Sequence, residues 1–168
     1  MKKWFLLMIS IPVFIVSCSK GDSSSCGFSD TNASASAAEV TFIQNYLAAN
    51  SITAIQHTSG IFYSVEDPGT TNKASICSNI TVNYTGWLMS NGNVFDSNNS
   101  GAGVSFVLGQ LIVGWQKGLP LINNGGKITL YIPPSLGYGI YDRTDNNGNV
   151  VIPGNSYLKF SIHLRDVQ

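Results

Sequence analysis

The 168-residue chain is short of charge: Asp, Glu, Lys and Arg make up 11% of it, nine basic against nine acidic. At a formal net charge of +0 there is no basic field to gather nucleic acid, and no acidic run to mark a solvated tail. Histidine is rarer still, with only two, His57 and His163. Metal clusters and histidine-based nucleophile pairs are therefore starved of parts. No Gly-x-Ser-x-Gly elbow and no phosphate-cradling glycine loop occurs. The expected partners thus exclude nucleic acid, metal ions and bound cofactors. What is present fits a one-domain globular protein, with 43% hydrophobic and 11% aromatic residues. Seventeen glycines, with frequent Asn and Thr, favour turns and strands over a helical bundle.

Residues 1–17 read as an address rather than a fold. Lys2 and Lys3 precede an apolar stretch from Trp4 to Val16, too short for the roughly twenty residues of a membrane-crossing helix. This is the pattern of a secretory signal. Its end, Ile15-Val16-Ser17-Cys18, resembles the lipobox of bacterial lipoproteins. That resemblance implies cleavage before Cys18 and lipid attachment to its thiol. The protein would then sit in the cell envelope, anchored to a membrane (the outer one) without crossing it. Residues 18–35 are rich in Ser, Asn, Ala and Gly, with Phe28 the one large apolar side chain. They cannot bury enough surface to offset the entropy of ordering, so a flexible tether is expected. With Cys18 taken by lipid, Cys26 and Cys77 remain, an even number compatible with a disulfide or with two free thiols.

Ser36-Ala37-Ala38-Glu39 is a capping-box pattern. Val40, Ile43 and Leu47 follow it at helical spacing, flanked by Phe42 and Tyr46, and Asn50 is a stop. Residues 36–54 are thus read as a short amphipathic helix and linker, packed on a main domain of residues 55–168. In that domain the period changes to two. Ile80, Val82, Tyr84 and Leu88 share one face of a strand, and Asn91-Gly92 marks a hairpin. Val104, Phe106 and Leu108 alternate again, as do Ile128, Leu130 and Ile132, and then Leu158, Phe160, Ile162 and Leu164. The glycine-bounded segment around Trp115 has room for about two helical turns. Asp142 to Asn149 is rich in Asp and Asn, but its spacing fails the calcium-loop register, so a solvated hairpin tip is expected. The class is α+β: an antiparallel sheet with one short helix on its apolar face.

A chain without metal, cofactor or nucleophile can still catalyse rotation about an X–Pro amide. No covalent bond breaks there, and an apolar pocket with a few aimed donors favours the twisted state. The residues suited to such a pocket also form a series. Val82-Asn83-Tyr84-Thr85-Gly86, Gly92-x-x-Phe95-Asp96-Ser97 and Phe106-x-Leu108-Gly109 come first. Ile112-x-Gly114-Trp115-x-x-Gly118-Leu119, Leu136-Gly137-Tyr138-Gly139, Val151-Ile152-Pro153 and Leu158-x-Phe160 follow. In this order, over about Ile55 to Gln168, they resemble the FKBP-type peptidyl-prolyl isomerases.

The resemblance implies a half-barrel-like sheet wrapped on the short helix. It also implies proline-containing polypeptides as partners, and macrolides as inhibitors. Trp115 would be the floor under the prolyl ring, and Tyr84, Phe95, Ile112 and Phe160 the walls. The Ile112 N–H and the Tyr138 hydroxyl would donate to substrate carbonyls, while Leu111 and Ile152 line the rim. Asp96 would be a buried polar group beside Tyr84, so that Tyr84, Asp96 and Tyr138 form the catalytic set. Three departures stand out. The stretch Asn98 to Gly103 lacks the arginine that family members often place near the aspartate, which leaves Tyr84, an amide or Arg143 to pair with Asp96. Val104 stands where many members have an aromatic wall. The loop from Ile140 to Val150 is long and lacks the histidine of the smallest members. The rival reading is a lipid-anchored peptide-binding or chaperone module without turnover.

Overall fold

The computed structural model describes residues 26–99 and 101–168. The signal segment, the lipobox with Cys18 and the first part of the tether lie outside the described residues.

Helix α1, Ala37–Ala49, begins where the sequence places it. The Ser36 side chain accepts from the Glu39 N–H at 3.3 Å, and the Glu39 carboxylate accepts from the Ser36 N–H at 2.8 Å. Asn50 caps the other end. Ile43 and Leu47 are buried, in one cluster with Phe62, Met89 and Tyr131. The helix therefore belongs to the domain and is not a separate arm.

The strands are β1 Ile55–Gln56, β2 Phe62–Asp67, β3 Asn79–Leu88, β4 Val94–Asn98, β5 Val104–Val107 and β6 Lys127–Ile132. A short pair, β7 Arg143–Thr144 and β8 Val150–Ile152, precedes the long β9 Leu158–Val167. The main sheet runs β1-β2-β6-β9-β3-β4, with β5 also on β3, and every pairing is antiparallel. Alternation along β9 is as read: Leu158, Phe160, Ile162 and Leu164 are buried and Arg165 is exposed. One apolar face is covered by α2, Val113–Gly118. This helix comes close to β6 because two of its residues have no side chain. A Cβ on Gly114 would sit 2.5 Å from Ile132, and one on Gly118 2.5 Å from Leu130.

The β7–β8 connection is a hairpin tip. The Asp145 carboxylate is occupied by its own turn, accepting from the Asn147 and Asn149 N–H groups and the Asn149 amide at 2.9–3.0 Å. No helix among the described residues is long and apolar enough to cross a membrane.

Residues 26–35, expected as part of a flexible tether, are held instead. From Cys26 onward the chain is a strap tied to the domain, not a free segment. Cys26 is disulfide-bonded to Cys77 across 51 residues, which settles the cysteine question. Phe28 packs on Gly109, the Lys117 ammonium donates to Asp30 at 2.6 Å, and the Ala35 N–H donates to Ser59 at 2.8 Å. Each of these partners is remote in sequence, so local composition carried no sign of them.

The Glu39 carboxylate also receives the Ser135 N–H and hydroxyl, at 2.9 and 3.0 Å. Burial raises its pKa, but the hydrogen bonds from Ser135 and Ser36 outweigh burial and hold it below the ordinary 4.5. A depressed carboxylate stabilises the fold above its unfolded pKa and loses that contribution as pH falls through its folded one. The stability gap between wild type and Glu39→Gln should thus be full above pH 4.5 and shrink in acid. Urea unfolding across that range measures it; a gap independent of pH contradicts the assignment.

Candidate active site

The site grows from the loop that leads into α2. Gln116, one turn into the helix, folds its side chain back and donates to the Leu111 carbonyl at 2.7 Å and the Gly109 carbonyl at 3.3 Å. This brace holds the segment 109–112, with Ile112 as the helix N-cap. The first turn of α2 carries Trp115, 4% exposed, its ring edge-on to Tyr84 of β3 at 5.3 Å and to Phe160 of β9 at 5.2 Å. Gly86 makes room for this cluster, since a Cβ there would lie 2.6 Å from Phe95 and 2.8 Å from Phe160. The Trp115 indole N–H is buried with no hydrogen-bond partner among the described residues.

These rings line an open pocket, together with Asp96, Phe106, Leu111, Ile112 and Tyr138. Tyr84 donates its hydroxyl to the Asp96 carboxylate at 2.6 Å. Burial, then the hydrogen bond to Asp96, push the Tyr84 phenol well above its ordinary range. Tyr138 is raised too, by burial first and by the charge of Asp96 second, with Arg143 opposing. The Arg143 guanidinium lies over the Tyr138 ring, 5.3 Å from its centre. Both phenols therefore remain protonated donors at neutral pH.

Most of the residues named from sequence meet here: Tyr84, Asp96, Leu111, Ile112, Trp115, Tyr138 and Phe160. Four expectations are corrected. Asp96 is exposed rather than buried, on β4 at the edge of the sheet. Phe95 stands behind the wall, edge-on to Phe160 at 5.5 Å, and lines a separate groove with Val94 and Val151. Val104 is partly buried against the core and is not part of the pocket lining. Ile152 is 5% exposed and belongs to the core, not the rim. The missed wall is Phe106, which lines the pocket two residues beyond Val104 on the same strand face. Its signal was present in the alternation of Val104, Phe106 and Leu108.

The choice among partners for Asp96 falls to Tyr84, while Arg143 takes the Tyr138 ring. Among the described residues no group of His, Cys, Asp and Glu could hold a metal ion.

Residues 70–165 match the family of FKBP-type peptidyl-prolyl cis-trans isomerases. The chain belongs to this family. A probable FKBP-type isomerase of Haemophilus influenzae is 41% identical over 110 residues, which cover 65% of this chain and 43% of that protein. FkpA of Escherichia coli K12 is 37% identical over 110 residues, 66% of this chain and 38% of FkpA. The crystal structure of Escherichia coli FkpA superposes with a TM-score of 0.65 at 33% identity, covering 79% of this chain and 60% of that one. The crystal structure of AtFKBP13 gives 0.60 at 33% identity, covering 69% and 99%. The chain spans less than half the length of these curated FKBP relatives.

If the Tyr84 hydroxyl and Asp96 act on stability through their shared bond, their removals should not add. Tyr84→Phe and Asp96→Ala should each cost about 0.5–1.5 kcal/mol at most, and the double variant no more than the larger single. Urea unfolding of the three proteins tests this, and additive losses contradict it.

Proposed function

We propose that this protein is a peptidyl-prolyl cis-trans isomerase that assists the folding of exported polypeptides at a membrane to which Cys18 anchors it. The observation that carries the reading is the pocket itself. A buried indole floor, aromatic walls and two protonated tyrosines share one cavity with a single carboxylate, Asp96.

The chemistry follows from what an amide loses on twisting. Rotation about an X–Pro bond meets a barrier of about 18–20 kcal/mol, because the planar amide is resonance-stabilised and charge-separated. The twisted amide carries less charge separation, so moving it from water to an apolar wall costs it less than it costs the planar form. The prolyl ring would rest on Trp115 between Tyr84 and Phe160, and Phe106 would close the side that Val104 leaves open. The Ile112 N–H and the Tyr138 hydroxyl would donate to the carbonyls flanking the proline, holding the chain while the bond turns. Asp96, oriented by the Tyr84 hydroxyl, would face the rotating carbonyl from the rim. A macrolide that presents a prolyl-like ring would compete for the same floor.

A coupled prolyl-isomerisation assay on the chain in detergent tests the reading. Acceleration at catalytic concentration is expected, with Trp115→Ala abolishing most of it. Tyr138→Phe should lower kcat/KM about two- to tenfold, as expected for one lost hydrogen bond, and leave the fold intact. Peptide binding without acceleration would instead favour the chaperone reading.

The anchor has its own test. Cys18→Ala should release the protein from membranes or leave its signal uncleaved. A trimmed Cys18→Ala protein that still sediments with membranes contradicts lipid attachment.

A further inference from the structure

Helix α1 lies outside the residues that match the family, yet one of its side chains reaches the loop that carries an active-site donor. The Glu39 carboxylate serves two structures at once. Its Oε2 accepts the Ser36 N–H at 2.8 Å and the Ser36 hydroxyl at 3.0 Å, which closes the helix cap. Its Oε1 accepts the Ser135 N–H at 2.9 Å, and Oε2 also accepts the Ser135 hydroxyl at 3.0 Å. A capping box needs only the Ser36 N–H on the Glu39 carboxylate and the Glu39 N–H on the Ser36 hydroxyl oxygen. The contacts to Ser135 cross 96 residues of sequence.

Ser135 sits in a short 3₁₀ turn, Pro134–Leu136, immediately before Gly137-Tyr138-Gly139. The Pro134 carbonyl accepts from the Gly137 N–H at 3.0 Å and from the Gly139 N–H at 2.9 Å. Tyr138 thus hangs from Pro134 by both of its neighbours. Glycines on either side give that backbone little stiffness of its own, and Gly139 takes a φ of 72°. The stiffness has to come from whatever holds the turn. Glu39 can supply it because its helix is packed, with Ile43 and Leu47 buried and Phe42 stacked on Tyr157 at 3.8 Å.

We propose that Glu39 is a positioning residue for Tyr138: it latches the Pro134–Leu136 turn to α1 and so fixes the aim of the Tyr138 hydroxyl. The role in catalysis rests on the isomerase reading; the latch itself does not. In this family fold the short helix would then act as a buttress to the pocket, one that the family-matched region lacks.

The test is a double-mutant cycle on the full chain in detergent, with amide hydrogen exchange beside it. Glu39→Gln suits it, since glutamine also closes a capping box but sets an NH₂ against the Ser135 N–H. The exchange of the Gly137 and Gly139 amides should quicken about tenfold, as expected for one lost hydrogen bond. The value of kcat/KM should fall about three- to tenfold in the wild-type background, and less than about twofold on top of Tyr138→Phe. Ser36→Ala, which weakens the cap but leaves the Oε1 contact to Ser135, should keep the wild-type rate. Unchanged exchange at Gly137 and Gly139 would overturn the latch. Equal losses with and without the Tyr138 hydroxyl would overturn its action through that group. A wild-type chain with no isomerase activity would instead remove the isomerase reading, and the exchange rates would still decide the latch.

Discussion

The architecture depends on how closely a six-residue helix can approach a sheet. Helix α2 has no length to stabilise itself, so its place is set by contact. Gly114 over Ile132 and Gly118 over Leu130 bring its backbone down onto β6. Only at that distance does Trp115, between the two glycines, come edge-on to both Tyr84 and Phe160. A methyl group at either glycine would lift the indole from its neighbours. The pocket is therefore a consequence of a packing constraint on its far side.

The polar groups of the site are few, and almost all are braced from elsewhere. Gln116 holds the loop that carries Ile112, Asp96 takes the Tyr84 hydroxyl, and Arg143 covers the Tyr138 ring. Each donor is a neutral group. Hydroxyls whose pKa values are pushed upward keep their protons through the neutral range, so such a site needs no titration to work. This fits a reaction in which nothing is protonated and no bond is made.

The core was legible in sequence because alternation is a local signal. Leu158, Phe160, Ile162 and Leu164 face inward as their spacing requires, and Ser36 with Glu39 announces the start of α1. The site was legible where motif and face agree, as at Trp115 and Tyr138. It was misread where depth mattered. Asp96, Phe95 and Ile152 have the expected identities, but whether a strand residue faces a cavity, a rim or the core depends on neighbours far along the chain. Phe106 was hidden for a related reason: alternation puts it on the same face as Val104, and spacing alone does not say which of the two lines the cavity. The strap from Cys26 to Ala35 shows the limit most plainly. Its composition is that of a tether, yet Ser59, Cys77, Gly109 and Lys117, all remote in sequence, hold it in place.

The central claim is that one aromatic pocket turns the X–Pro bond. Exchange NMR of an X–Pro peptide with a trace of the protein tests it most directly, with the buried Trp115 indole N–H as reporter. The account predicts cis–trans exchange peaks that appear only with protein present, together with a shift of the Trp115 indole resonance as peptide is added. Peptide binding that leaves the indole resonance unmoved, or that moves it without producing exchange peaks, would contradict the account.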